Sequence, residues 1–193
     1  MHYLYLFFAG SAIASLTSMA ATQGKPIDVQ RSFLIIHAGR AGLFSAAGHE
    51  HWISAPIFSG AVDETGATPS VRFVVKAARL AVKPEKTLSA TDEAQVQSNM
   101  QTKVLESSRY PDITFQSTRV VRSGGDTWKL DGNLTLHGVT KPLTLDVRRE
   151  NSAYVGTIRI KQTEFGIQPI RVGGGLVTVK NELDIRFKVY CLE

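Results

Sequence analysis

The sequence predicts an all-β, mainly antiparallel domain of about eight strands with one helical insertion. The clearest evidence is residues 132–146, where leucines alternate with polar residues on both sides of a reversal at residues 137–142. Period-two alternation is typical of strands with one buried face. Similar segments recur at short spacing, and residues 88–107 carry apolar residues at helical spacing. Eight antiparallel strands can close into a small ligand-holding barrel, although a β-sandwich fits the same pattern.

The first half of the chain predicts three strands and the helix. The strands lie near residues 27–38, 51–62 and 71–80, and Pro56 indicates a bulge or an edge within the second of them. The first carries apolar residues on both faces, which indicates a strand covered on both sides or one that crosses from barrel wall to helix cover. The helix covers residues 88–107, with Ser89 or Thr91 as its N-cap.

The second half predicts five strands. Glycines at 124–125 form a turn, Gly138 supplies the positive φ that a tight reversal needs, and Pro142 begins the returning strand. A flexible glycine loop covers residues 173–175. The five strands lie near residues 113–121, 128–136, 143–149, 154–162 and 176–190.

The N-terminal residues 1–20 predict a secretory signal peptide. They carry no Lys, Arg, Asp or Glu, and their apolar run is followed by small residues before a cleavage site near Ala20. An uncleaved membrane anchor is the alternative interpretation. Residues 21–193 are then expected to form one exported domain.

Composition narrows the class of partner. The chain has a net charge of +5 and a single cysteine, Cys191, so no intramolecular disulfide can form. A basic exported protein can meet anionic lipid headgroups, and transient membrane contact is expected. The sequence has no dense basic run or nucleic-acid motif, so nucleic acid is not an expected partner. The sequence is also compatible with a homodimer.

Three stretches resemble the YceI-like family, bacterial exported proteins that bind polyisoprenoid lipids. They are LTLHGVTKPLTLD at residues 134–146, VLESSRYPDITFQST at 104–118 and TEFGI at 163–167, where Glu164 replaces the usual Asp. The resemblance covers residues 26–190. It favours an extended, lipocalin-like eight-stranded β-barrel, and it implies periplasmic binding, sequestration or transport of a long-chain polyisoprenoid such as an isoprenoid quinone or a polyprenyl phosphate.

This interpretation assigns function to shape and burial, with no catalysis and no cofactor besides the lipid. Burying a polyprenyl chain gains roughly 0.8 kcal/mol per CH₂ group, so aromatic side chains are the expected lining of an apolar tunnel. The tunnel candidates are Phe44, Trp52, Phe58, Phe73, Phe115, Trp128, Phe165 and Phe187. The candidates for contact with a headgroup are the loop or turn cations Arg40, Lys141 and Arg171.

Two other functions fit the residues. His49 and His51 would share one face of a strand and could bind zinc or copper with a third ligand, for example His37, His137 or Asp63. A barrel built around this pair would be a metal protein or an enzyme. A fully packed barrel would instead serve as an interaction protein.

Overall fold

The computed structural model describes residues 24–42, 50–65, 68–86, 88–172 and 177–193. Within them, one antiparallel sheet curls around an apolar interior, with one α-helix packed at its end. The strands are β1 (Lys25–Pro26), β2 (Phe33–Ala41), β3 (His51–Ser54), β4 (Ile57–Asp63), β5 (Ser70–Lys76), β6 (Ala81–Val82), β7 (Asp112–Gly124), β8 (Thr127–Leu136), β9 (Val139–Glu150), β10 (Ala153–Lys161), β11 (Arg171–Val172) and β12 (Val177–Tyr190). The predicted fold class is confirmed.

The sheet curls so far that β1, at one edge, meets the end of β12, the last strand along the chain. Its order is β1-β4-β5-β7-β8-β9-β10-β12-β2-β3-β6, with β11 paired to β12. Immediately after β1, Ile27 forms an antiparallel bridge to Cys191, which follows β12. The backbone N–H of Leu192 donates to the Pro26 carbonyl at 2.9 Å. The β1 segment therefore joins β4 to the end of β12.

Several predicted strand limits were wrong. The first strand begins at Phe33, because Asp28 accepts hydrogen bonds from the next backbone amides and forms a turn. The predicted strand 51–62 is broken at Ala55 and Pro56 into β3 and β4. The third strand ends at Lys76 and a 3₁₀ turn follows. The short strands β1, β6 and β11 were not predicted.

The helix is shorter than the sequence predicted. Helix α1 covers Ala90–Asn99 and continues as a π-helical turn, Met100–Val104. Of the two predicted N-caps, Ser89 is the one that caps the helix. Its hydroxyl accepts the Asp92 backbone N–H at 3.1 Å. This bond satisfies one of the unpaired amides at the helix start.

The β8–β9 hairpin turns more tightly than predicted. His137 and Gly138 are its only turn residues, with φ of 53° and 73°, and β9 begins at Val139. Pro142 therefore lies inside β9, opposite Asn133 of β8. The proline is tolerated because β10 pairs only with residues 147–150 of β9, so that no described strand pairs with β9 on that side at Pro142.

Four predictions lie outside the described residues: the signal peptide at 1–20, Phe44, His49 and the glycine loop at 173–175. Among the described helices, none has the length and apolar character needed to cross a bilayer.

Candidate functional site

An elongated cavity of about 630 Å³ runs through the inside of the curled sheet. Trp128 and Leu136 of β8 both line it. Their separation along the strand is roughly 27 Å, at about 3.4 Å per residue. Alternate residues of a strand face the same side, so Leu143 and Leu145 of β9 line the cavity as well. The result is a long apolar interior rather than a compact pocket.

Helix α1 and its π-helical extension cover one end of the cavity. Val96, Met100 and Val104 line this end. The side chain of Gln97 fixes the helix to the sheet: its amide nitrogen donates to the Leu80 carbonyl at 2.9 Å and its oxygen accepts the Val82 N–H at 2.8 Å. No residue of α1 is fully buried. The helix is therefore a partly exposed cover over this end of the cavity.

His51 lines the cavity near this covered end. Its Nδ1 lies 2.8 Å from Glu85 Oε1, and both side chains are largely buried. Glu93 of α1 accepts the Glu85 backbone N–H at 2.7 Å. The histidine is thus held by a segment that the helix itself fixes in place.

The opposite end carries charged and polar side chains, which we call the polar rim: Asp63, Glu64, Arg122, Asp126, Arg149 and Tyr154. The Tyr154 hydroxyl donates to Glu64 Oε1, and Arg149 Nη1 lies 3.8 Å from Glu64 Oε2. Arg122 Nη2 lies 3.6 Å from Asp126 Oδ1, and its Nε donates to the Gly125 carbonyl at 2.7 Å. Each rim guanidinium therefore has its own carboxylate.

Aromatic rings separate the two guanidinium groups of the polar rim. The Arg122 guanidinium lies 5.7 Å from the centre of the Trp128 ring, and that of Arg149 lies 5.8 Å from the centre of the Tyr154 ring. The two rings meet edge to face, 5.9 Å apart. The quadrupole of an aromatic ring attracts a cation placed over its face. The rim therefore combines charged groups with an apolar aromatic surface at the cavity entrance.

A family model described as the YceI-like domain matches residues 30–191. The chain belongs to the YceI-like family. This confirms the family to which the three sequence stretches pointed. The match includes every strand that lines the cavity apart from the short β1 segment.

Curated relatives of this YceI-like chain are UPF0312 proteins. One from Vibrio parahaemolyticus is 36% identical over 73 residues, which is 33% of this chain and 39% of the relative. Another, from Pseudomonas putida, is 33% identical over 91 residues, or 42% and 45% of the two chains. The aligned stretch therefore spans less than half the length of each of these relatives.

Two solved structures share the fold. Burkholderia cenocepacia BcnA is 18% identical with a TM-score of 0.57, and the match covers 86% of this chain and 99% of BcnA. A domain from Saccharophagus degradans is 14% identical with a TM-score of 0.60, covering 88% of this chain and 99% of the domain. Its structure is described as a polyisoprenoid binding domain implicated in plant cell wall breakdown. These likenesses support the lipocalin-like architecture of the YceI-like chain.

Four of the predicted tunnel aromatics line the cavity. They are Phe73, Phe115, Trp128 and Phe187. The rings of Phe73 and Phe115 stack with their centres 5.5 Å apart. Phe115 and Phe187 lie against glycines of the neighbouring strands, so the absence of a Cβ there leaves room for each ring.

Three other candidates do not line the cavity, which corrects their assignment. Trp52 is 36% exposed, and its ring stacks on the His37 ring with centres 4.5 Å apart. It faces outward because its neighbour His51 occupies the inward-facing position of β3. Phe58 is 48% exposed, with Lys76 Nζ 4.9 Å from its ring centre. Phe165 is fully buried in the core.

The predicted headgroup cations lie away from the polar rim. Arg40 is near the end of β2 and pairs in register with Val179, while Arg171 is exposed in β11. Lys141 is exposed near the turn of the β8–β9 hairpin. None of these three lines the cavity.

The sequence did not predict the polar rim, and Asp63 was considered only as a possible metal ligand. Arg149 continues the inward-facing series of Leu143, Leu145 and Val147 on β9. Arg122 likewise follows Val120 with the same parity on β7. Both arginines could have been identified from the sequence, because each lies two positions after the last residue of an inward-facing apolar series.

The described histidines do not converge on one site. His37 lies 3.1 Å from Glu50, His51 lies 2.8 Å from Glu85, and His137 lies 3.0 Å from Glu106. Across the part of the chain that the structure describes, no group of three or more His, Cys, Asp or Glu could hold a metal ion.

Proposed function

We propose that this protein binds a long-chain polyisoprenoid lipid inside its cavity and sequesters or carries it without chemical change. The observation that carries the proposal is the long apolar cavity of about 630 Å³. Its volume is within the range of sites that enclose small molecules, and its length along β8 suits an extended chain. The S. degradans domain, described as binding polyisoprenoids, has the same fold and supports the assignment.

Affinity would come from burial of the chain. Each CH₂ group removed from water contributes roughly 0.8 kcal/mol, so a chain of several isoprene units needs no dense set of polar contacts. Most of the wall side chains are aliphatic or aromatic, and these neither transfer protons nor ligate metals. His51, at the covered end, is paired with Glu85. The proposal therefore assigns no catalytic step to the cavity.

The expected place of action is the periplasm, where an exported carrier would meet lipids released from a membrane. The uncharged, apolar N-terminal segment at residues 1–20 supports export. The expected ligands are isoprenoid quinones or polyprenyl phosphates.

Native mass spectrometry of the protein purified from a bacterial periplasm, followed by organic extraction, tests the proposal. We expect an added mass that dissociates on extraction and is identified as a polyprenyl lipid. Recovery of the bare polypeptide mass, together with failure to take up added geranylgeraniol, would overturn the proposal.

A variant that fills the cavity provides the matched test. Leu145 lines the cavity and is half-buried, so Leu145→Trp should place the larger ring in the path of the lipid and reduce the bound fraction. Val121 lies on the outer face of β7 and is 39% exposed, so Val121→Trp adds a tryptophan without occupying the cavity. Equal lipid content in both variants would show that the lipid lies elsewhere.

A further inference from the structure

We propose that the polar rim selects an uncharged, oxygen-bearing headgroup, such as the hydroxyl of a prenol or the carbonyl of a quinone, over a phosphate or diphosphate. The inference rests on the proposed function and narrows the lipid class that the cavity takes. The other end of the cavity is covered by α1 and its π-helical turn. We therefore place the headgroup at the rim.

The charge of the rim is the first argument. Its charged residues are the carboxylates Asp63, Glu64 and Asp126 and the guanidinium groups of Arg122 and Arg149. The carboxylates thus outnumber the cations by one. Lys25 of β1 pairs in register with Val62, beside Asp63, and brings the local balance to zero. A headgroup with two or more negative charges would meet no net positive field here, although the whole chain carries +5.

The occupancy of the guanidinium groups is the second argument. Arg149 faces Glu64 at 3.8 Å and Arg122 faces Asp126 at 3.6 Å. A phosphate would have to displace these carboxylates or lie beside them, and like charges a few ångströms apart repel even in water. Bidentate recognition of phosphate needs a guanidinium fork that is free to face it.

The unused hydrogen-bond donors are the third argument. A guanidinium carries five N–H donors. Arg149 donates its Nε–H to the Asn151 carbonyl and forms an ion pair with Glu64 at 3.8 Å, which together engage only part of these donors. One neutral oxygen can accept a remaining N–H while the ion pair stays intact. The edge-to-face rings of Trp128 and Tyr154 then cover the first carbons of the chain.

The test compares two probes with the same chain, geranylgeraniol and geranylgeranyl diphosphate. Binding is followed by the fluorescence of Trp128, in a Trp52→Phe background that removes the second tryptophan of the chain. With the rim unaltered, the protein should bind the alcohol at least roughly tenfold more tightly than the diphosphate. A ratio of this order is expected when one charge of the diphosphate lies about 4 Å from one carboxylate of the rim.

Freeing the guanidinium groups should remove the preference for the alcohol. The double variant Glu64→Gln and Asp126→Asn removes both carboxylate partners. It should therefore bind the diphosphate at least roughly tenfold more tightly than the unaltered rim does, while the affinity for the alcohol changes little. Asp146→Asn is the control, because Asp146 is exposed outside the cavity and pairs with Lys129 at 3.3 Å. The control removes a negative charge without altering the rim, and the ratio of the two affinities should not change.

The outcomes separate this inference from the proposed function. Tighter binding of the diphosphate by the unaltered rim would overturn the choice of headgroup and leave lipid binding intact. A ratio that shifts equally in Asp146→Asn and in the rim variant would also overturn it, since net charge would then be the cause. If neither probe binds, the proposed function fails and the headgroup inference fails with it.

Discussion

His137 Nε2 lies 3.0 Å from Glu106 Oε1, which joins the tip of the β8–β9 hairpin to the segment that follows helix α1. The Tyr110 ring packs on the same imidazole, with ring centres 4.3 Å apart. Gly138, the second residue of the hairpin turn, lies beneath that tyrosine ring. The hairpin tip therefore anchors the chain that leaves the helix, and with it the cover over one end of the cavity.

Gly138→Ala is expected to destabilise the protein. Gly138 has φ of 73°, and a Cβ there would lie 2.6 Å from Tyr110 Cε1. Left-handed backbone costs a non-glycine residue roughly 1–2 kcal/mol, and displacement of Tyr110 adds to this. Gly125→Ala is the control, since Gly125 has φ of 49° but nothing within 4 Å of its Cβ position. Urea unfolding should show the larger loss for Gly138→Ala, and equal losses would mean that Tyr110 moves freely.

Gln97→Ala is expected to loosen helix α1. The substitution removes the two hydrogen bonds that hold the helix to Leu80 and Val82, each worth roughly 0.5–1.5 kcal/mol. Amide hydrogen exchange across residues 90–104 should become faster. Gln95→Ala is the matched control, because the exposed Gln95 side chain donates a hydrogen bond to Asn99 within the same helix. Unchanged exchange in Gln97→Ala would show that the other contacts, including the Glu93–Glu85 hydrogen bond and those of Gln101, hold the helix without Gln97.

A further prediction concerns the ionisation of Asp184. The hydrogen bond from Arg159 Nε, at 2.6 Å, holds the pKa of the Asp184 carboxyl below its ordinary value. Because this pKa is lower in the folded state, the pair stabilises the fold above the unfolded pKa of Asp184 and ceases to do so as pH falls through the folded pKa. Carboxyl NMR titration should show a higher Asp184 pKa in Arg159→Ala.

The control for this titration is Lys161→Ala, which removes a cation from the same strand without removing the Arg159 hydrogen bond. An equal rise of the Asp184 pKa in both variants would assign the effect to general charge. The long-range attraction would then outweigh the direct bond.

The sequence predicts those parts of the fold that depend on local periodicity. The shared parity of Leu130, Leu134 and Leu136 identified the inner face of β8, where all three are buried. The same reasoning could not place Trp52, because β3 has only four residues and a shift of one position moves a side chain to the other face. The ring of Trp52 consequently lies outside the sheet rather than in the cavity.

Long-range pairing lies beyond what periodicity reveals. The bridge between Ile27 and Cys191 joins residues from opposite ends of the chain, and no local sequence pattern predicts it. The ion pair of Glu64 with Arg149 likewise depends on how far β4 and β9 curl towards the same opening. The candidate site was therefore predictable in its apolar walls and not in its polar rim.

The last prediction concerns the thiol of Cys191. The residue is half-buried at the bridge to Ile27, and burial raises the pKa of its thiol above the ordinary value. The thiolate is the reactive form, so labelling at mildly alkaline pH should be slower in the folded protein than in urea. Non-reducing electrophoresis should show the monomer, because an intermolecular disulfide would require opening of the β1 segment that closes the sheet. Fast labelling of the folded protein would instead show that this closure opens readily in solution.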